Sequence, residues 1–114
     1  MKDVKIKIGC DIVKVDRLEE IGTKSLMKIF YEHEVEKSSL ESIAGILAVK
    51  ESCRKVFNGL RWHDIKVSKD KEGKPSVTLN IKKLNKIKIL SQDVSISHDG
   101  DYAMAVAVFM LKGN

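Results

Sequence analysis

Four residues of this chain have types suited to chemistry: Asp11, Glu51, Lys55 and His98. Two separated carboxylates can hold Mg²⁺, a hard cation that keeps several waters and takes the rest of its shell from substrate phosphates. A lysine one helical turn from a carboxylate can neutralise phosphate charge, and a histidine can move a proton near neutral pH. Together the four make a kit for phosphoryl chemistry. Each also has a plainer reading. Glu51 and Lys55 stand four positions apart, the spacing of an ordinary helix-surface pair worth about 0.3–0.5 kcal/mol. Asp11 shares a strand face with Lys5 and Lys7, where solvation is the default. His98 precedes a turn, where a lone histidine is more often structural than catalytic.

The elements that must position these groups follow from periodicity. Val4, Ile6, Ile8, Cys10 and Ile12 alternate with Lys5, Lys7, Gly9 and Asp11, which predicts a half-buried strand over roughly 3–15. Asp16 and Glu19 have the spacing of a capping box, opening a short helix that Gly22 would end, and one or two short helices follow between 25 and 36. A serine at 38 or 39 opens the clearest element, a helix of about five turns that runs to Phe57 and stops at Asn58-Gly59. On a helical wheel Leu40, Ala44 and Leu47 share a column with Glu51, while Ile46, Val49, Cys53, Val56 and Phe57 cover much of the opposite side. That helix is expected to be buried on two faces, where a lone ionised carboxylate costs several kcal/mol unless paired or bound to a cation.

Two strands near Ile65–Val67 and Val77–Ile81, joined through Gly73, Lys74 and Pro75, precede a short helix expected over 82–89 and a closing hairpin through Asp99-Gly100. The order predicts an α+β fold in which a largely antiparallel sheet packs against one long helix and shorter helices. The 114 residues suit a single domain spanning 1–114.

With 43% hydrophobic and 32% charged residues, the composition describes a globular protein rather than a disordered one. No apolar run reaches the roughly 18 residues of a membrane span, and the N-terminus lacks the apolar stretch of a signal peptide, so the expected location is cytoplasmic without a membrane partner. Cys10 and Cys53 form no CxxC pair and sit in apolar patterns, as reduced thiols do. The net charge of +5 points to a polyanionic partner. Nucleic acid is one candidate. Against it, only 5% of residues are aromatic, and the lysines are dispersed rather than interleaved with stacking rings.

Four stretches carry a more specific signal: GCDIVKVDRL at 9–18, LAVKESCRKVF at 47–57, DIKVSKDKEGKPSV at 64–77 and VSISHDGDYAMAVAV at 94–108. In order and separation they resemble the motifs of the holo-(acyl carrier protein) synthases, the small bacterial class of phosphopantetheinyl transferases. The resemblance covers nearly the whole chain apart from residues 23–40 and 82–92, and four ordered motifs are far more specific than any one.

It implies transfer of the phosphopantetheine arm of coenzyme A to a serine of an acyl carrier protein, with release of adenosine bisphosphate. Asp11 and Glu51 would ligate Mg²⁺, which would account for a carboxylate in an apolar helix. Lys55 would stabilise charge on the pyrophosphate, and His98 would contact the phosphates or help remove the serine proton. Gly59, Gly73, Lys74 and Pro75 would border coenzyme A. Arg17, Lys24 and Lys28 would face the acidic carrier, and the assembly would be a homotrimer with sites between neighbouring subunits.

The chain departs from the family pattern twice. Ile46 stands where an arginine is usual, and the glycine loop after Phe57 is shortened to Asn58-Gly59. Fewer glycine N–H groups there would weaken the hold on phosphate. The alternatives to an active transferase are a basic nucleic-acid-binding module and a catalytically weak member of the same fold.

Overall fold

The structure is a computed structural model and describes residues 3–84 and 86–113. Strand β1 (Val4–Lys14) leads through a 3-10 turn (Val15–Leu18) into α1 (Thr23–Ile29), α2 (Glu32–Val35) and the long α3 (Leu40–Val56). Strands β2 (Ile65–Lys69) and β3 (Pro75–Leu79) pair as one antiparallel hairpin. Strands β4 (Ile89–Asp99) and β5 (Tyr102–Lys112) form the other, with β1 added antiparallel beside β5, so the larger sheet has the order β1-β5-β4. The expected α+β architecture is present, with its antiparallel strands divided between two sheets.

Helix α3 explains most of the packing. Ser39 caps it, its side chain accepting the Ser42 N–H at 3.1 Å, and no proline interrupts it before Phe57 closes the last turn onto the Cys53 carbonyl. Every residue from Ile43 to Lys50 is buried, so the middle of the helix is enclosed on all sides rather than on two. It lies across β1, β5 and β4, and also touches β2. Among the described residues, no helix is long and apolar enough to cross a membrane.

Close approach of α3 sets the faces of β1, and they run opposite to the simplest reading of the strand. Gly9 and Val13 point inward, opposite Ala107 and Ala103 of β5, which are fully buried. Ile6, Ile8 and Ile12 point outward and are 63%, 65% and 61% exposed. Small residues face the helix because there is no room for larger ones: a Cβ on Gly9 would collide with the backbone carbonyl of Ser52. The large apolar residues are left for the open side of the sheet.

Three local expectations are corrected. The segment after Asp16 is a 3-10 turn without a side-chain cap, and Gly22 starts α1 rather than ending a helix, its carbonyl accepting the Leu26 N–H at 3.0 Å. Between 82 and 89 the described residues hold no α-helix, only the end of a 3-10 turn (Ile81–Lys83); Asn85 lies outside the described residues. The closing hairpin turns at Gly100-Asp101, since Asp99 already pairs with Tyr102.

Candidate active site

Asp11 enters the site from the inner face of β1, opposite Ala105 of β5. Its Oδ1 accepts from the Lys55 ammonium at 3.0 Å, and the same ammonium donates to the Cys10 carbonyl at 2.9 Å. The other oxygen, Oδ2, is buried and has no hydrogen-bond partner among the described residues. The hydrogen bond and charge of Asp11 raise the Lys55 pKa above its ordinary value, and the charge of Glu51 adds to the effect. Lys55 is therefore a firmly charged cation at the last turn of α3. Beside it opens a groove of about 320 Å³ lined by Cys10, Asp11, Ile12, Lys55 and Met104.

Glu51 is on the rim of α3 rather than in its buried middle: its side chain is 31% exposed, and it makes a long ion pair of 3.9 Å with Arg54. The expected contact from Glu51 to Lys55 is thus replaced by one from Lys55 to Asp11, with Glu51 acting on the lysine through its field. The donor set fits a hard divalent cation. It contains a buried carboxylate oxygen without a hydrogen-bond partner among the described residues and a second carboxylate whose field reaches the same lysine. Among the described residues no group of three or more His, Cys, Asp or Glu assembles to hold a metal.

The other expected site residues lie elsewhere. The His98 ring is hydrogen-bonded through Nε2 to the Glu41 carbonyl at 3.0 Å, in the first turn of α3. The same nitrogen lies 3.2 Å from the Cβ position of Gly45, and Lys55, in the last turn, is ten residues further on, about 15 Å along the axis at 1.5 Å per residue. One chain therefore does not bring His98 and Lys55 together. A small hollow of about 110 Å³ beside His98 shares Ile12 and Met104 with the groove at Asp11.

Gly73 and Lys74 lie in the β2–β3 turn and Pro75 opens β3; Asp70 organises the turn by accepting the Glu72 and Lys74 N–H groups at 2.9 Å each. Gly73 there has φ of 86°, a left-handed conformation that favours glycine. Lys74 donates to Asp93 of β4 at 3.1 Å; that bond, the Val94 N–H and the lysine charge hold the Asp93 carboxyl below its ordinary pKa. Gly59 is in the exposed turn after α3. Arg17, Lys24 and Lys28 are exposed, in the 3-10 turn and on α1.

The charge that α3 does bury is Lys50, the residue before Glu51. Its side chain is 0% exposed and pairs with the equally buried Glu34 of α2 at 2.9 Å. Its ammonium also donates to the carbonyls of Ile29, Trp62 and Ile65 at 3.0, 3.2 and 2.8 Å. Glu34 in turn accepts the N–H groups of Tyr31 and Val67, both at 2.7 Å. Burial pulls the Lys50 pKa down, and Glu34 opposes it. The signal for this pair was present in the chain: Ile43, Ile46, Lys50, Cys53 and Phe57 follow one helical stripe in which only Lys50 is polar. Cys53 is buried and free, and burial pushes its thiol up to about 12, which leaves it a small hydrophobe as expected.

The family model described as "4'-phosphopantetheinyl transferase, N-terminal" matches residues 13–110. A holo-(acyl-carrier-protein) synthase of Nautilia profundicola is 41% identical, over 92% of this chain and 99% of its own. Another, from a Sulfurovum species, is 36% identical over 90% and 94%. A solved structure of the Helicobacter pylori synthase in complex with coenzyme A superposes with a TM-score of 0.78 at 35% identity, covering 90% of this chain and 99% of that one.

Proposed function

This chain belongs to the holo-(acyl-carrier-protein) synthase family of 4'-phosphopantetheinyl transferases, and from that premise we propose that it moves the phosphopantetheine arm of coenzyme A onto a serine hydroxyl of an apo acyl carrier protein. The observation that carries this reading is the half-satisfied carboxylate of Asp11, with Lys55 on one oxygen, nothing on the other, and Glu51 nearby.

In this mechanism the serine oxygen attacks the phosphorus that carries the pantetheine arm. The pyrophosphate bond breaks, and adenosine bisphosphate leaves. Asp11 and Glu51 would hold Mg²⁺, which, when bound, supplies a Lewis acid that draws charge from the pyrophosphate oxygens. Lys55, exposed to the groove and firmly charged, pairs with a pyrophosphate oxygen and stabilises the charge that builds as the leaving group departs. His98 contacts the phosphates or takes the serine proton.

Since His98 of one chain lies beside the N-terminal half of α3 and Lys55 at its C-terminal end, a site that uses both would draw them from two subunits. The exposed apolar face of the β1-β5-β4 sheet, with Ile6, Ile8, Ile12 and Met104, supplies the surface on which subunits would meet in a homotrimer. Gly59, Lys74 and the turn around Gly73 and Pro75 border the coenzyme in that assembly. Arg17, Lys24 and Lys28, exposed on one stretch of chain with an overall charge of +5, receive the acidic carrier.

The test is to incubate the protein with Mg²⁺, coenzyme A and an apo acyl carrier protein and to weigh the carrier by mass spectrometry. The carrier gains one phosphopantetheine; an unchanged mass would overturn the assignment. Glu51→Gln abolishes the gain while the circular dichroism spectrum stays that of the parent, and turnover that survives the change removes Glu51 from the metal site.

A further inference from the structure

Asp11 presents its two oxygens unequally. Oδ1 is taken by the Lys55 ammonium at 3.0 Å, and Oδ2 is buried and unpartnered. The ammonium is itself anchored a second time, on the Cys10 carbonyl at 2.9 Å, and lies within the field of Glu51. One positive charge of the protein's own therefore sits on one of the two carboxylates assigned to the metal and within the field of the other. A lysine needed on the pyrophosphate is here committed to a metal ligand instead.

We propose that Lys55 is an internal competitor for the metal position: in the free protein its ammonium weakens divalent-cation binding at Asp11 and Glu51, and the coenzyme pyrophosphate relieves that competition by drawing Lys55 off Asp11. The inference rests on the reading of Asp11 and Glu51 as the metal ligands.

Its physical basis is like-charge repulsion. An ammonium and a dication on one carboxylate repel at short range, and the repulsion is strongest where one oxygen is already out of water. A pyrophosphate offers the ammonium a more highly charged acceptor, so coenzyme and metal each improve the other's binding. The arrangement makes Lys55 set the order of loading: the metal binds weakly alone and well together with the coenzyme. The released lysine is then already beside the bond to be broken.

The experiment measures Mn²⁺ binding to the full chain by the loss of the free-ion electron paramagnetic resonance signal, with and without coenzyme A. Without coenzyme A, Lys55→Met binds Mn²⁺ at least about tenfold more tightly than the parent, equivalent to about 1.4 kcal/mol of relieved repulsion. Lys55→Arg, which keeps the charge, stays near the parent. Coenzyme A tightens Mn²⁺ binding to the parent and to Lys55→Arg, and does so much less for Lys55→Met. Lys55 is more than half exposed, so both variants are expected to fold. An unchanged or weaker Mn²⁺ affinity in Lys55→Met overturns the inference while leaving the metal site standing. Asp11→Asn reports on the site separately: if it binds Mn²⁺ as tightly as the parent, the metal assignment fails, and the competition fails with it.

Discussion

Lys50 and Glu51 are neighbours in sequence and opposites in environment. The helix turns by about 100° between them, enough to carry one side chain into the core and leave the other at the rim. Lys50 survives burial because four acceptors meet its ammonium: Glu34 and the carbonyls of Ile29, Trp62 and Ile65. Removing one partner leaves an uncompensated buried charge, which costs more than the pair itself contributes. Lys50→Met should therefore destabilise the protein by about 3–5 kcal/mol in urea unfolding. The double change Lys50→Met with Glu34→Gln should recover part of that loss, because no net charge is stranded and the glutamine oxygen can still accept from Val67. A single-variant loss below about 1 kcal/mol would mean that water reaches the pair. The hub ties α1, α2 and β2 to the helix turn that bears Glu51, so the same variant should also impair transfer through misplacement of the carboxylate.

At the scale of elements, the fit between β1 and α3 decides where Asp11 points. Gly9 lies two residues before Asp11 on the same face, and a Cβ there would run into the Ser52 carbonyl and approach Val56 at 3.1 Å. Gly9→Ala must push strand from helix. The expected cost is about 1–3 kcal/mol, read as a lowered melting temperature. Transfer activity measured well below the new melting temperature should drop further, since Asp11 moves away from Lys55; full activity there would show that the strand position is not critical. The other elements show how far local signals reach. Helix α3 was legible because Ser39, the unbroken run without proline and Asn58-Gly59 all agree with its tertiary packing. The capping-box spacing at Asp16 and Glu19 was not enough, because a 3-10 turn there leaves Gly22 to begin α1.

For the whole molecule, the decisive feature is a sheet with apolar residues on both sides. The inner side takes Gly9, Val13, Ala103, Ala105, Ala107 and Phe109 against α3, and the outer side carries Ile6, Ile8, Ile12 and Met104 into the open. An exposed apolar surface of that kind calls for a second layer, which the proposed homotrimer would supply. If the proposed trimer forms on this face, Ile8→Asp, at its middle, should give monomers in sedimentation velocity where the parent gives trimers, without changing the circular dichroism spectrum. It should also abolish transfer, because His98 and Lys55 would no longer meet across a subunit boundary. A parent protein that is monomeric and fully active would remove both the trimer and the shared site.

The sequence by itself determined the fold class, the long helix, the closing hairpin and the family, since each depends on local patterning or on ordered motifs that survive without coordinates of any kind. It also identified Asp11, Glu51 and Lys55 as the residues to watch. Which face of β1 turned inward, and with it the pairing of Lys55 with Asp11 rather than Glu51, was settled only by the approach of α3 to Gly9 and the alanines of β5. The separation of His98 from Lys55 likewise follows from the path of α3 across the sheet. Alternation tells which residues share a face, but steric room between two packed elements chooses the face that is buried.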